Sequence, residues 1–251
     1  MSPRLVIAAA VSAALLAGAA CGHGSDRAAA ERATARAVTS REAGVLADVL
    51  HRNFEAGGAH FDATASIGGA PIRFQGVVNW GDHAGSGFLG IGSLPPYEVR
   101  WTADAVFRAV PGLPERMAAQ GRPGVRWVVL PADPQNTRLD VVIAVLVGLA
   151  STTPDNPVNV QQQADVQWLG SETVGTDQVD VFRKGRIELY VARTDSMLRR
   201  VLAPLAFTDE QLRVDVTGFG PQPFAIPPEE QVVDGRNIPE IYTELTQLSA
   251  I

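Results

Sequence analysis

The side chains able to do chemistry are few and scattered. Four histidines, His23, His51, His60 and His83, share no spacing of the His-Glu-x-x-His kind that holds zinc. Gly85-Ser86-Gly87 sets a serine between glycines, but without the Gly-x-Ser-x-Gly spacing of a nucleophile elbow. Asp133 and Asp155 lie in Pro/Asn-rich stretches that lack the alternating oxygen ligands of a calcium loop, so they read as turn residues. No phosphate-binding loop and no dinucleotide fingerprint occurs. Carboxylates are plentiful, yet no pair stands out as the acid and base of a glycosidase. The sequence therefore predicts a protein that is not an enzyme, with no metal and no cofactor.

Cys21 is the one reactive residue in a telling place. It is the only cysteine, so it cannot close an internal disulfide. Ahead of it, Met1-Ser2-Pro3-Arg4 forms a short basic start, and Leu5 to Ala20 carries no charge at all. This is the layout of a secretory signal peptide. Those 16 uncharged residues would span only about 24 Å as a helix, short of the roughly 30 Å of a bilayer core. Leu16-Ala17-Gly18-Ala19-Ala20-Cys21 is similar to a lipobox, with Leu-Ala-Gly two residues early and Gly18 where a leucine is usual. The expectation is removal of residues 1–20, acylation of Cys21, and attachment to the outer face of the cell membrane. Two or more acyl chains anchor stably where one does not.

Composition narrows the partners. The 251-residue chain has a formal charge of −6 and no basic cluster, which argues against nucleic acid and against a polybasic membrane patch. Residues 21–38 are polar and Ala-rich and read as a tether. Residues 39–251 have no internal linker and are expected to form a single domain.

The elements follow from periodicity. Ser40 can cap a helix whose stripe is Val45, Leu46, Val49, Leu50 and Phe54, stopped by Gly57-Gly58. Phe61, Ala63, Ala65 and Ile67 then alternate with polar residues, and after Gly68-Gly69 Ile72, Phe74, Gly76, Val78 and Trp80 alternate with Arg73, Gln75, Val77 and Asn79. The pair predicts an antiparallel hairpin with one apolar face. Further strands are expected over 83–91, 98–101, 106–110 and 125–130. Leu139 to Ala150 is apolar nearly all round and predicts a buried helix, with a helical turn or two over 158–164. Strands are then predicted over 165–174, 178–182, 187–192, 198–207 and 211–216, and a last helix over 238–248. Strands, a buried helix and strands again give the α+β class.

Several motifs in this order resemble the actinobacterial LppX/LprAFG lipoproteins, whose fold is similar to that of the LolA/LolB carriers. They are the strand bearing Trp127 before Pro131-Ala132-Asp133, the helix at 140–150, the Asn156–Asn159 segment and Gly170-Ser171-Glu172-Thr173-Val174-Gly175. Ile187–Val191, Leu198–Val201, Val214–Gly220 and Ile226-Pro227-Pro228 continue the series. The resemblance implies a strongly curved antiparallel sheet, a half-barrel, with helices packed on its concave face. It also implies binding of an acyl lipid or glycolipid between sheet and helices, and passage across the envelope with a transport protein as partner. Candidate lining residues are Phe61, Ile72, Phe74, Val78, Trp80, Val142, Ile143, Leu146 and Leu149. The alternative is a surface-anchored accessory protein in which the same residues fill a closed core, because core and cavity share one composition.

Overall fold

The computed structural model describes residues 35–67, 69–135, 137–205 and 210–250. The expected signal peptide, Cys21 and most of the tether lie outside them. The chain pairs a short β1 (Arg36–Ala37) with a later strand and then enters α1 (Ser40–Ala56). Thr39, not Ser40, is the cap. Its hydroxyl accepts from the Glu42 N–H at 3.3 Å, and the Glu42 carboxylate accepts from the Thr39 N–H at 2.8 Å. This reciprocal box satisfies two orphan donors of the first turn. Ser40 is the first helical residue, and its hydroxyl donates to Gln161. Gly57, at φ 84°, ends the helix in the left-handed conformation.

The first run of strands is β2 (Gly58–Ile67), β3 (Ala70–Asn79), β4 (Ala84–Ile91), β5 (Tyr97–Trp101) and β6 (Ala105–Arg108). The predicted hairpin is present, with Phe61 opposite Gly76 and Ala63 opposite Phe74. Helix α2 (Leu113–Ala119), β7 (Trp127–Pro131), α3 (Arg138–Gly148) and α4 (Pro157–Gln162) follow. A second run comprises β8 (Val166–Val174), β9 (Asp177–Lys184), β10 (Ile187–Ala192), β11 (Leu198–Pro204) and β12 (Gln211–Thr217). Residues 218–231 then cross to β13 (Val232–Asp234), held by Gly220 N–H to Gly58 O and Arg100 to Ala225 O, each 2.9 Å. The last element is α5 (Pro239–Ala250).

All thirteen strands form one curved, unclosed sheet in the order β1-β8-β9-β10-β11-β12-β2-β3-β4-β5-β6-β7-β13. Neighbours pair antiparallel except β7 with β13, which run parallel. The class is α+β, an open half-barrel. One face packs against α1 and α3 in the main hydrophobic core. A second core, with Leu113, Met117, Val128, Leu130, Ile241 and Leu245, joins α2 and α5 to the β7–β13 end.

Helix α3 differs in detail from a helix buried all round. Leu139, Val142, Ile143 and Leu146 are buried, whereas Ala144 and Gly148 are exposed. Its last turn has no basic residue and no glycine cap. Instead the Trp80 indole N–H donates to Leu146 O at 3.0 Å, and the Asn53 amide donates to Leu149 O at 2.7 Å. Two side chains, one just past the end of β3 and one from α1, thus satisfy carbonyls that a helix end leaves open, and fix α3 over the sheet. At its other end buried Asp140 faces buried Arg108 of β6 at 3.4 Å.

Candidate functional site

The sequence-derived lining residues gather in one place. Phe61, Phe74, Val78 and Trp80 project from the concave face, and Val142, Ile143, Leu146 and Leu149 descend from α3 and its end onto the same cluster. Ile72 packs at its margin, half-buried. The Phe61 and Phe74 rings lie 5.0 Å apart, and the Trp101 ring meets them at 6.0 and 5.7 Å. Eight of the nine are at most 8% exposed, so in this state they pack on one another. Two glycines of β4 let the rings sit this low: a Cβ on Gly85 would lie 2.1 Å from the Trp101 ring, and one on Gly87 2.9 Å from Phe74. Gly76 faces Gly87 across the β3–β4 pair.

Open space occurs elsewhere on the concave side. Between the first turns of α1 and strands β9 and β10 lies a groove of about 380 Å³. Phe182, Val191 and Ala192, each 1% exposed, form its floor with half-buried Val45, and Phe182 and Val191 belong to the main core. Thr39, Arg41, Glu42, Asp180, Arg193 and Ser196 complete the lining and include its exposed members. The site is therefore apolar below and charged above. Its volume falls within the range of about 300–1,000 Å³ usual for small-ligand pockets.

Its two carboxylates are already engaged. Arg36 donates to both Glu42 oxygens, at 2.8 and 2.7 Å, and lies over the Trp168 ring at 4.3 Å. The Arg36 hydrogen bond is the main reason the Glu42 carboxyl falls to about 2; burial opposes it, and the Thr39 donors assist. Arg193 grips both oxygens of Asp180, at 2.7 and 3.1 Å, and also donates to the Ser171 hydroxyl. Burial alone would raise the Asp180 carboxyl. Hydrogen bonds from Arg193, Trp168 and Ser171 outweigh it and hold that group below the usual carboxylate range. Carboxylates fixed in the charged form by arginines are poorly suited to proton transfer near neutral pH.

The residues weighed for chemistry from sequence take local roles. His51 bonds Ser151 O at 3.2 Å, Asp155 faces Lys184 at 3.5 Å, and Ser86 lies within β4. The Asp133 N–H donates to Asp140. Among the described residues no three His, Cys, Asp or Glu side chains cluster to hold a metal ion. The groove itself was not legible in the sequence, since its walls come from segments about 39–45 and 180–196. The one local signal was the Thr39-x-x-Glu42 box.

Comparison with known proteins adds likeness of shape without likeness of sequence. No family model matches the chain, and no curated protein matches it. Among solved structures it is similar to the lipoprotein LppX of Mycobacterium tuberculosis, at 11% identity and a TM-score of 0.43, over 73% of this chain and 98% of that one. It is also similar to an uncharacterised conserved protein of Thermus thermophilus, at 12% identity and a TM-score of 0.40, over 77% and 99%. MucB of Pseudomonas aeruginosa, in complex with MucA, matches at 13% identity and a TM-score of 0.32, over 76% and 59%.

Proposed function

We propose that this is an exported, non-catalytic protein of the cell envelope that takes up the acyl chain of a lipid or glycolipid on the concave side of its sheet. It would then carry that chain across the envelope. The observation that carries the reading is the groove beside α1, whose buried floor of Phe182 and Val191 continues into the core while its mouth is charged. That is the polarity an acyl chain with a polar head requires. Burying ten methylenes is worth about 8 kcal/mol, comparable with the cost of about 4–15 kcal/mol of immobilising a ligand. No catalytic group is needed. The ordered motifs that resemble those of the LppX/LprAFG lipoproteins support the same reading.

A second reading has its own observation. The ring packing of Phe61, Phe74 and Trp101 makes a closed core, as an accessory protein that docks on other envelope components would have. Organic extraction of the purified chain followed by mass spectrometry separates the two. A carrier releases acyl lipid in stoichiometric amount or takes up fluorescent fatty acid. A clean protein that takes up none rejects the carrier reading in favour of the accessory one.

Attachment at Cys21 is part of the proposal. In bacteria that acylate lipoproteins, the wild-type chain is expected in the detergent phase on phase partition and Cys21→Ala in the aqueous phase. Equal partition of the two would reject the anchor.

A further inference from the structure

We propose that the groove beside α1 selects single-chain amphiphiles with an anionic head, carboxylate or phosphate, and that Arg41 reads the charge. The inference deepens the uptake reading above and rests on it. Volume sets the number of chains. At about 380 Å³ the groove lies near the lower end of the range of about 300–1,000 Å³ usual for small-ligand pockets, the size for one acyl chain rather than for a multi-chain lipid.

Charge sets the head. Around the groove stand three guanidinium groups, of Arg36, Arg41 and Arg193, and two carboxylates, of Glu42 and Asp180. Arg36 consumes Glu42 and Arg193 consumes Asp180, through paired hydrogen bonds. Arg41 is exposed and, among the described residues, makes no ion pair. Because both carboxylates are matched, they neither attract a cationic head nor strongly repel an anionic one, and the net field at the mouth is that of Arg41. The same residue borders the apolar floor through Val45, one helical turn further along α1. A chain lying on Phe182 and Val191 therefore brings its head to Arg41. An arginine fork suits two oxygens of a carboxylate or a phosphate equally.

Titration calorimetry with dodecanoate, dodecyl phosphate and dodecanol tests this on the purified chain. The wild type is expected to bind the two anions about fivefold more tightly than the alcohol, as an exposed charge contact allows. Arg41→Gln should erase the preference and leave dodecanol unchanged, with an unaltered melting curve because the side chain is exposed. Arg41→Glu should invert it. An Arg41-dependent gain for one anion alone supports the proposal and names the head. A preference that survives Arg41→Gln, or no preference in the wild type, overturns it while leaving uptake standing. Val45→Trp, which fills the groove, should weaken all three ligands; unchanged binding by a folded Val45→Trp protein places the ligand elsewhere and also overturns the proposal. If none of the three binds the wild type, uptake and head selection fail together.

Discussion

Replacing Asp140 with leucine is expected to destabilise the fold by about 3–5 kcal/mol, the usual cost of breaking a buried ion pair from one side. The pair joins two elements that the fold must hold together. Arg108 on β6 is 1% exposed and Asp140 in the first turn of α3 is 3% exposed, with their charges 3.4 Å apart. Asp140 also accepts from the Asp133 N–H at 2.7 Å, and its own N–H donates to the Thr137 hydroxyl. Burial pushes the phenol of neighbouring Tyr97 up, against the pull of the Arg108 charge, which marks how dry this corner is. Leucine fills the space but leaves the guanidinium without the Asp140 carboxylate. Changing both partners, to Met at 108 and Leu at 140, removes the buried guanidinium along with the carboxylate, and stability should return to within about 1 kcal/mol of wild type. Asp140→Asn keeps an acceptor for Asp133 and should fall between. Urea denaturation of wild type, Asp140→Leu, Arg108→Met and the double variant measures the cycle, with Asp140→Asn beside it. A single Asp140→Leu protein within about 1 kcal/mol of wild type would show that the pair does not lock α3 to the sheet.

What this corner shares with the groove is non-locality, and that divides what the sequence reveals from what it hides. The β2–β3 hairpin is readable because alternation from Phe61 to Trp80 is a local signal with a strict period of two. Helix α1 is readable from its stripe. Its cap is off by one, since Thr39 and Ser40 are both competent caps and only the box with Glu42 decides between them. Helix α2 escapes notice because seven residues with two buried positions, Leu113 and Met117, barely make a pattern. Strand β13 escapes because three residues gain their order from a parallel partner, with Val233 opposite Val128. Arg108 is least legible of all. Arginine is normally exposed, and nothing within β6 announces an aspartate 32 positions on. The groove mouth is the same case, with Arg41 and Arg193 brought together only where α1 lies beside β9 and β10. The largely apolar run of α3 reads as burial all round, but the sheet covers one side of it.

Gly85→Ala is the second large expected effect, and it concerns the aromatic packing that decides how full the concave side is. A methyl group at position 85 would lie 2.1 Å from Trp101 Cζ2, 2.4 Å from Cη2 and 2.5 Å from the Val77 carbonyl oxygen. Real side chains do not approach so closely, and Trp101 is 0% exposed with Phe61 and Phe74 against it, so the ring has nowhere to retreat. Overpacking of this kind costs about 1–3 kcal/mol and occasionally more. Here the upper end is expected, because backbone as well as ring must move. The diagnostic partner is Trp101→Phe. Phenylalanine lacks the two ring carbons that the new methyl meets, and the indole N–H it removes has no hydrogen-bond partner among the described residues, so no polar contact is lost. In the Trp101→Phe background Gly85→Ala should therefore cost less than half of what it costs alone, with the Val77 carbonyl contact as the remainder. Neighbouring residues in one packed cluster are where such coupling of about 0.5–3 kcal/mol is found. Thermal melts of the four proteins give the answer. Additive losses would mean that the Trp101 ring does not rest on Gly85, and that the glycines of β3 and β4 serve the backbone alone. Non-additive losses would tie the depth of the aromatic layer to glycine, and with it the space left between sheet and α3 for any acyl chain reaching inward from the groove.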